Sequence, residues 1–198
     1  MKRQLAMTTL FAVILMTVAA ADQWDIDKAH SYIGFSAQHM VVSHVPGKFE
    51  NYDGKVIFDG KNLAAGSTEL TINVQSINTG NERRDNHLRS SEFFDLENFP
   101  IITFKSSKIV PGEGNKFKML GDLTIRGITK PITLDCFFNG TITDTQGNTR
   151  AGFAAGGSIK RHDFNIAWDN KLQDGSFIVG EEITLDIQAE LVKQVNKE

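Results

Sequence analysis

Cysteine is nearly absent from this chain: Cys136 is the only one in 198 residues. No intramolecular disulfide framework can form, and the core alone must hold the fold. The recognised catalytic punctuation is missing too. There is no G-x-S-x-G elbow, no H-E-x-x-H and no Walker pattern. His87 and Asp85 could orient a base, but no nucleophile can be named beside them. The five histidines, His30, His39, His44, His87 and His162, show no dense ligand spacing, so no metal is expected. No other cofactor is implied. Basic residues number 21 against 24 acidic ones, which argues against nucleic acid as a partner. No polar or Pro-rich linker and no internal repeat divides the chain, so residues 22–198 are read as a single domain.

Long apolar runs are also scarce. The clear one extends from Leu10 to Val18, behind Lys2 and Arg3 and ahead of Ala19, Ala20 and Ala21. It is shorter than the roughly 20 residues a spanning helix needs. Its small-residue exit suits a cleavable secretory leader over residues 1–21, cut before Asp22. No cysteine follows that site to accept a lipid, so no stable membrane anchor is expected. Loss of Lys2 and Arg3 with the leader shifts the formal charge from −3 to −5.

The remainder alternates with period two. Ile33, Phe35, Ala37, His39 and Val41 fall on one side of an extended segment, Gly34, Ser36, Gln38 and Met40 on the other. The same pattern recurs at Leu70, Ile72 and Val74, at Phe117 to Ile125, and at Ile132, Leu134, Cys136 and Phe138. Its clearest case is Ile183, Leu185, Ile187, Ala189 and Leu191 against Thr184, Asp186, Gln188 and Glu190. One dry and one wet face imply antiparallel pairing. Further strands are expected near Gly47 to Phe49, Gly54 to Phe58, Ile101 to Ser106 and Gly152 to Ile159. Many short strands between Gly, Asn and Asp clusters suggest a barrel or a sandwich.

One stretch breaks the pattern. Thr79 and Glu82 have the spacing of a capping box, and Asp85 and Arg89 that of an i,i+4 ion pair, so a short helical segment is expected near residues 80–94. Leu88, Phe93 and Phe94 would dock it across one mouth of the barrel. Inside, phenylalanine dominates with 14 in the chain against two tryptophans and two tyrosines, interleaved with Gly34, Ala37, Gly121, Ala151, Ala155 and Gly157. Small and large residues together either fill a tapering core or leave a slot for an elongated ligand. Composition does not choose between them.

Specific motifs narrow the choice. Trp24-Asp25-Ile26-Asp27, His30-Ser31, Phe35 and His39 resemble the opening of YceI-like proteins. Ser76 to Phe94, containing Arg84-Asp85 and His87-Leu88-Arg89-Ser90, followed by Phe99-Pro100 and Thr103-Phe104, is similar to that family's central signature. Gly121-Asp122-Leu123-Thr124-Ile125, with Gly127 and Thr129-Lys130-Pro131, looks like its hairpin motif. The resemblance spans residues 22–198 in order. A departure is Asn165, where glycine is more usual after Asp163-Phe164; Asn enters left-handed backbone at greater cost than Gly.

The resemblance implies an all-β, extended antiparallel lipocalin-like barrel of about eight strands, periplasmic, with an apolar cavity for a polyisoprenoid, prenyl pyrophosphate or isoprenoid quinone. A homodimer is a further expectation on the same ground. Candidate cavity residues are Ile33, Phe35, Ile72, Phe104, Leu123, Phe138, Phe153, Leu185 and Ile187; each is equally at home in an ordinary core. Arg84, His87, Arg89 and Arg161 are candidate donors to a polar head group, although Arg84 and Arg89 would serve as well to fasten the helix. Two other readings stay open: a hydrolase or isomerase acting on a bound lipid, and an interaction module with a filled barrel. Carriage or storage of a lipid, without catalysis, is the expectation.

Overall fold

The computed structural model describes residues 22–59 and 62–194; the leader read in residues 1–21 lies outside them. Among the described residues, eleven strands and one α-helix follow one another: β1 (Gln23–Ile26), β2 (Tyr32–His39), β3 (Ser43–Phe49), β4 (Tyr52–Ile57), β5 (Ser67–Asn73), β6 (Ile77–Asn78), α1 (Glu82–Arg89), β7 (Ile101–Pro111), β8 (Lys116–Ile125), β9 (Ile128–Thr143), β10 (Thr149–Lys160) and β11 (Val179–Lys193). The ring β1-β4-β5-β7-β8-β9-β10-β11 closes through β1 and β11, giving an eight-stranded antiparallel barrel. Closure removes the exposed sheet edges that an open sheet of this size would carry.

The barrel is extended because three of its staves are interrupted strands. On one edge of β11, residues Leu191 to Lys193 pair with β1, and Val179 to Gln188 pair with β2. β1 and β2 therefore run along the same neighbour in succession. β4 and β3 repeat the arrangement against them, and β5 and β6 repeat it again. Strand directions place α1, the β2–β3 turn and the connection from β10 to β11 at one end. The β7–β8 and β9–β10 turns lie at the other.

Local chemistry departs from the sequence reading in three places. β2 stops at His39, short of Val41, because Met40 and Val41 take left-handed φ of 49° and 63° and form the turn into β3. Val74 opens a 3-10 turn instead of continuing β5. α1 covers only two turns and is capped by Asn81, whose side chain accepts from the Arg84 N–H. Thr79 is not its cap: its N–H and hydroxyl both donate to the buried Asp85 carboxylate. Arg89 does not pair with Asp85; it donates instead to the carbonyls of Gln75 and Ile77. Asn165 adopts left-handed backbone at φ 56°, the geometry for which glycine is cheaper.

The main core occupies the barrel interior, and a second cluster of Trp24, Phe58, Ala151 and Leu191 seals the end away from α1. There the Trp24 indole N–H donates to the Phe58 carbonyl at 2.8 Å, which satisfies the polar atom of the buried ring. Arg150 locks the same end from outside. Its guanidinium reaches Asp27 at 2.7 Å, Asp144 at 2.8 Å and Glu190 at 2.6 Å, joining the bend after β1, the β9–β10 turn and β11. The His30 and Arg150 hydrogen bonds hold the Asp27 carboxyl down at about 2, from an ordinary 3.8.

Arg150→Met leaves three carboxylates facing one another, so a melting temperature several degrees lower at pH 7 is expected. A folded-state pKa below the unfolded value contributes stability fully above pH 3.8 and loses it as pH falls through about 2. The gap between variant and parent should therefore narrow over that window in thermal melts.

Candidate functional site

Period-two alternation in a closed barrel sends every second side chain to the interior, and here these side chains do not fill it. A cavity of about 270 Å³ runs between the strands. Ile33, Phe35 and Ala37 of β2, Leu70 and Ile72 of β5, Ile102 and Phe104 of β7, Leu123 and Ile125 of β8, Phe153 and Ala155 of β10, and Ile183 to Leu191 of β11 supply its walls in alternation. Leu88, Phe93 and Phe94 turn inward at one end, and Phe58 and Leu63 stand at the other. Among the described residues that line it, the one charged side chain is Arg161.

Two glycines help to keep this space open. A Cβ on Gly121 would lie 2.5 Å from the Phe104 ring, and one on Gly47 would lie 2.4 Å from the Phe35 ring. Each ring therefore rests against the bare backbone of the neighbouring strand. The interior remains a slot despite its phenylalanine content, and the choice that composition left open falls to the slot.

The structure brings eight of the nine expected apolar residues into the lining: Ile33, Phe35, Ile72, Phe104, Leu123, Phe153, Leu185 and Ile187. Phe138 is outside it. Its ring packs on Phe58 at 5.4 Å and Phe153 at 5.0 Å, so it supports the wall through residues that do border the space. The sequence reading missed Phe164, Ile166 and Val179, which also line the cavity. They lie in or beside the connection from β10 to β11, where no periodicity marks them.

The expected polar group divides. Arg84 donates to the hydroxyl and carbonyl of Thr79, and Arg89 to Gln75, Ile77 and Asn86. Neither borders the cavity, because both arginines are spent on fastening α1 to the chain before it; Arg89 faces a separate polar groove with Glu50 and Asn78. His87 stands closer. Its ring meets Phe93 and Trp168 edge to face at 4.9 and 5.7 Å and pairs with Glu92.

Arg161 is 3% exposed. It donates to the carbonyls of Ile166 at 2.7 Å, Gly180 at 3.0 Å and Val179 at 3.2 Å, and to Asp169 at 3.0 Å. Hydrogen bonds from His162 and Arg161 hold the Asp169 carboxyl below its ordinary range. A buried cation whose carboxylate partner is 44% exposed leaves positive potential at this end of an otherwise apolar slot.

Asp27, His30 and Glu190 approach one another closely enough to share a metal ion, yet the cation seated between the two carboxylates is Arg150. Cys136 lines the cavity, and burial pushes its thiol up to about 11, which leaves it protonated and unreactive at neutral pH.

Comparison with known proteins finds a match to the model of the YceI-like domain over residues 24–191. Protein YceI of Salmonella newport (strain SL254) is 41% identical over 172 residues, which cover 85% of this chain and 90% of that protein. The crystal structure of Burkholderia cenocepacia BcnA superposes with a TM-score of 0.74 at 27% identity, covering 84% of this chain and 99% of the other. A polyisoprenoid binding domain from Saccharophagus degradans, implicated in plant cell wall breakdown, shares the fold at 15% identity with a TM-score of 0.63, covering 86% and 98%.

Gly121→Ala should drive the Phe104 ring off the wall and into the slot, at a cost of roughly 1–3 kcal/mol of stability in urea unfolding. An unchanged midpoint would show that the ring has room elsewhere. Cys136 should resist thiol reagents in the native protein and react on unfolding; rapid native labelling would contradict its burial.

Proposed function

The chain belongs to the family of YceI-like proteins, and on that premise we propose that it holds one long apolar lipid along the barrel axis, as a carrier or a store. The observation that carries this reading is the continuous apolar cavity in a barrel that could have been filled. Its volume of about 270 Å³ is just below the roughly 300–1,000 Å³ of small-molecule sites. That favours a slender linear chain over a fused-ring lipid. Each methylene taken from water contributes about 0.8 kcal/mol, so ten of them offer about 8 kcal/mol before ordering costs, the scale of micromolar affinity.

The ligand class we favour is a polyisoprenoid, a prenyl pyrophosphate or an isoprenoid quinone, and the fold shared with a domain described as polyisoprenoid binding supports it. Arg161 takes the polar end of such a ligand, a phosphate or a quinone oxygen, through its charge and its remaining N–H. His87, whose ring packs on the cavity-lining Phe93, is the second donor we assign. Arg84 and Arg89 we assign to holding α1 in place. A binding role is favoured over catalysis because the described lining carries no carboxylate, histidine or lysine to move a proton. The open slot disfavours an interaction module with a filled barrel. The leader read in residues 1–21 would export the protein, with the periplasm as its compartment.

Titration with a short-chain isoprenoid quinone, followed by quenching of protein fluorescence, tests this reading. Saturable binding at one ligand per chain is expected. Ala155→Trp, which plants an indole in the slot, should weaken binding about tenfold or more while strand content by circular dichroism is retained. Equal binding by parent and variant would place the ligand elsewhere.

A further inference from the structure

From Ala29 to Gly47 the chain has no lysine, arginine, aspartate or glutamate, although charged residues make up 23% of the whole. This stretch contains β2, the turn after it and β3 as far as Gly47; the first charge on β3 is Lys48, at the far end of the hairpin from the turn. At its tip Met40, Val41 and Val42 are 39%, 58% and 84% exposed, three consecutive apolar side chains held out to solvent. Scattered exposed hydrophobes need no explanation, but a run of three at a projecting turn does.

The backbone there is strained. Val41 has a φ of 63°, a region a β-branched residue rarely enters. The turn is held in place by the Met40 N–H on the Ile178 carbonyl at 2.9 Å, the Val42 N–H on His39 at 3.1 Å and the Gln38 amide on Val41 at 3.3 Å. Strain that the surroundings maintain points toward use. The tip is also tied to the slot: His39 pairs with Val179, and Ala37 with Ile183, and Ala37, Val179 and Ile183 all line the cavity.

We propose that Met40, Val41 and Val42 form a docking tip that inserts shallowly into a neutral lipid bilayer and brings the Val179 end of the cavity to the membrane surface. The proposal rests on the lipid-holding reading, since a protein that takes a water-insoluble chain must meet the phase that contains it. The absence of lysine, arginine, aspartate and glutamate from Ala29 to Gly47, on both strands next to the tip, selects a neutral surface and an apolar, salt-independent contact instead of electrostatic adsorption. Three side chains cover far less than the roughly 800 Å² per partner that a stable protein interface buries, which argues against a second copy. Among the described residues no helix is long and apolar enough to cross a membrane, and the tip would supply a reversible contact.

The test uses the chain from Asp22, which carries every strand of the barrel, and the variant with Val41→Asn and Val42→Asp. Both replacements are at exposed positions, and asparagine tolerates the left-handed backbone. Phosphatidylcholine vesicles containing an isoprenoid quinone are one source of ligand; the same quinone dispersed in detergent is the other. The variant should lose vesicle binding by about tenfold or more and draw quinone from vesicles correspondingly slowly. Uptake from detergent should be unchanged, and parent binding should vary little between about 50 and 500 mM NaCl. Equal vesicle binding and uptake by the two proteins would overturn the docking tip and leave the lipid-holding reading standing. Failure of both to take quinone from detergent would defeat that reading and the docking proposal with it. A shift from dimer to monomer in the variant, with vesicle binding unaltered, would show the tip to be a contact between copies and overturn the proposal.

Discussion

Everything in this structure depends on how β11 is shared. Its one edge is taken by β10 along eleven consecutive residue pairs, Arg150 to Lys160 against Val192 to Glu182, and its other edge by β1 and then β2. That succession closes the ring and lengthens it in the same stroke, since the strand that meets β1 at one end still has residues left for β2 at the other. A barrel closed without this extension would have its core beside Trp24 and little more. The extension creates the axial space, and the inward phase of Ile183 to Leu191 makes that space dry.

A dry space persists only where the wall cannot collapse into it. The hydrogen-bonded ring fixes the distance between opposite staves, and Gly47 and Gly121 draw two phenylalanine rings back against the backbone. At one end Trp24, Phe58, Ala151 and Leu191 pack into a plug. At the other α1 and the connection from β10 to β11 close over the slot, with Arg161 tying Ile166, Asp169, Val179 and Gly180 together. One cation at one end of an apolar slot gives the site polarity along its axis. A ligand with a long apolar tail and one polar terminus matches that polarity.

Much of this was legible in the residues. Alternation located the inward faces of β2, β5, β8, β9 and β11, because a half-buried strand must alternate. Trp24-Asp25-Ile26 lies in a strand of four residues, and Ile77 in one of two, too short for any period to show. Phe138 has the right phase but the wrong neighbours: tertiary packing against Phe58 and Phe153 decides where its ring goes. Arg84 and Arg89 were visible as cations, yet nothing in their spacing revealed that the carbonyls of Gln75, Ile77 and Thr79, with the Thr79 hydroxyl and the Asn86 side chain, take their donors. Phe164, Ile166 and Val179 reach the cavity through an irregular connection whose path no local pattern encodes. Whether the barrel was filled or open turned on Gly47 and Gly121 lying beneath Phe35 and Phe104, a relation across strands that composition cannot express.

The central claim is that the slot is occupied by a long apolar lipid in the protein's own setting. Native mass spectrometry of the protein purified from its own host, with organic extraction and identification of what is released, tests it most directly. One isoprenoid or similar long-chain lipid per chain is the result this account predicts. A chain mass with nothing bound and an empty extract, from protein that also refuses added polyprenyl and quinone lipids, would contradict it.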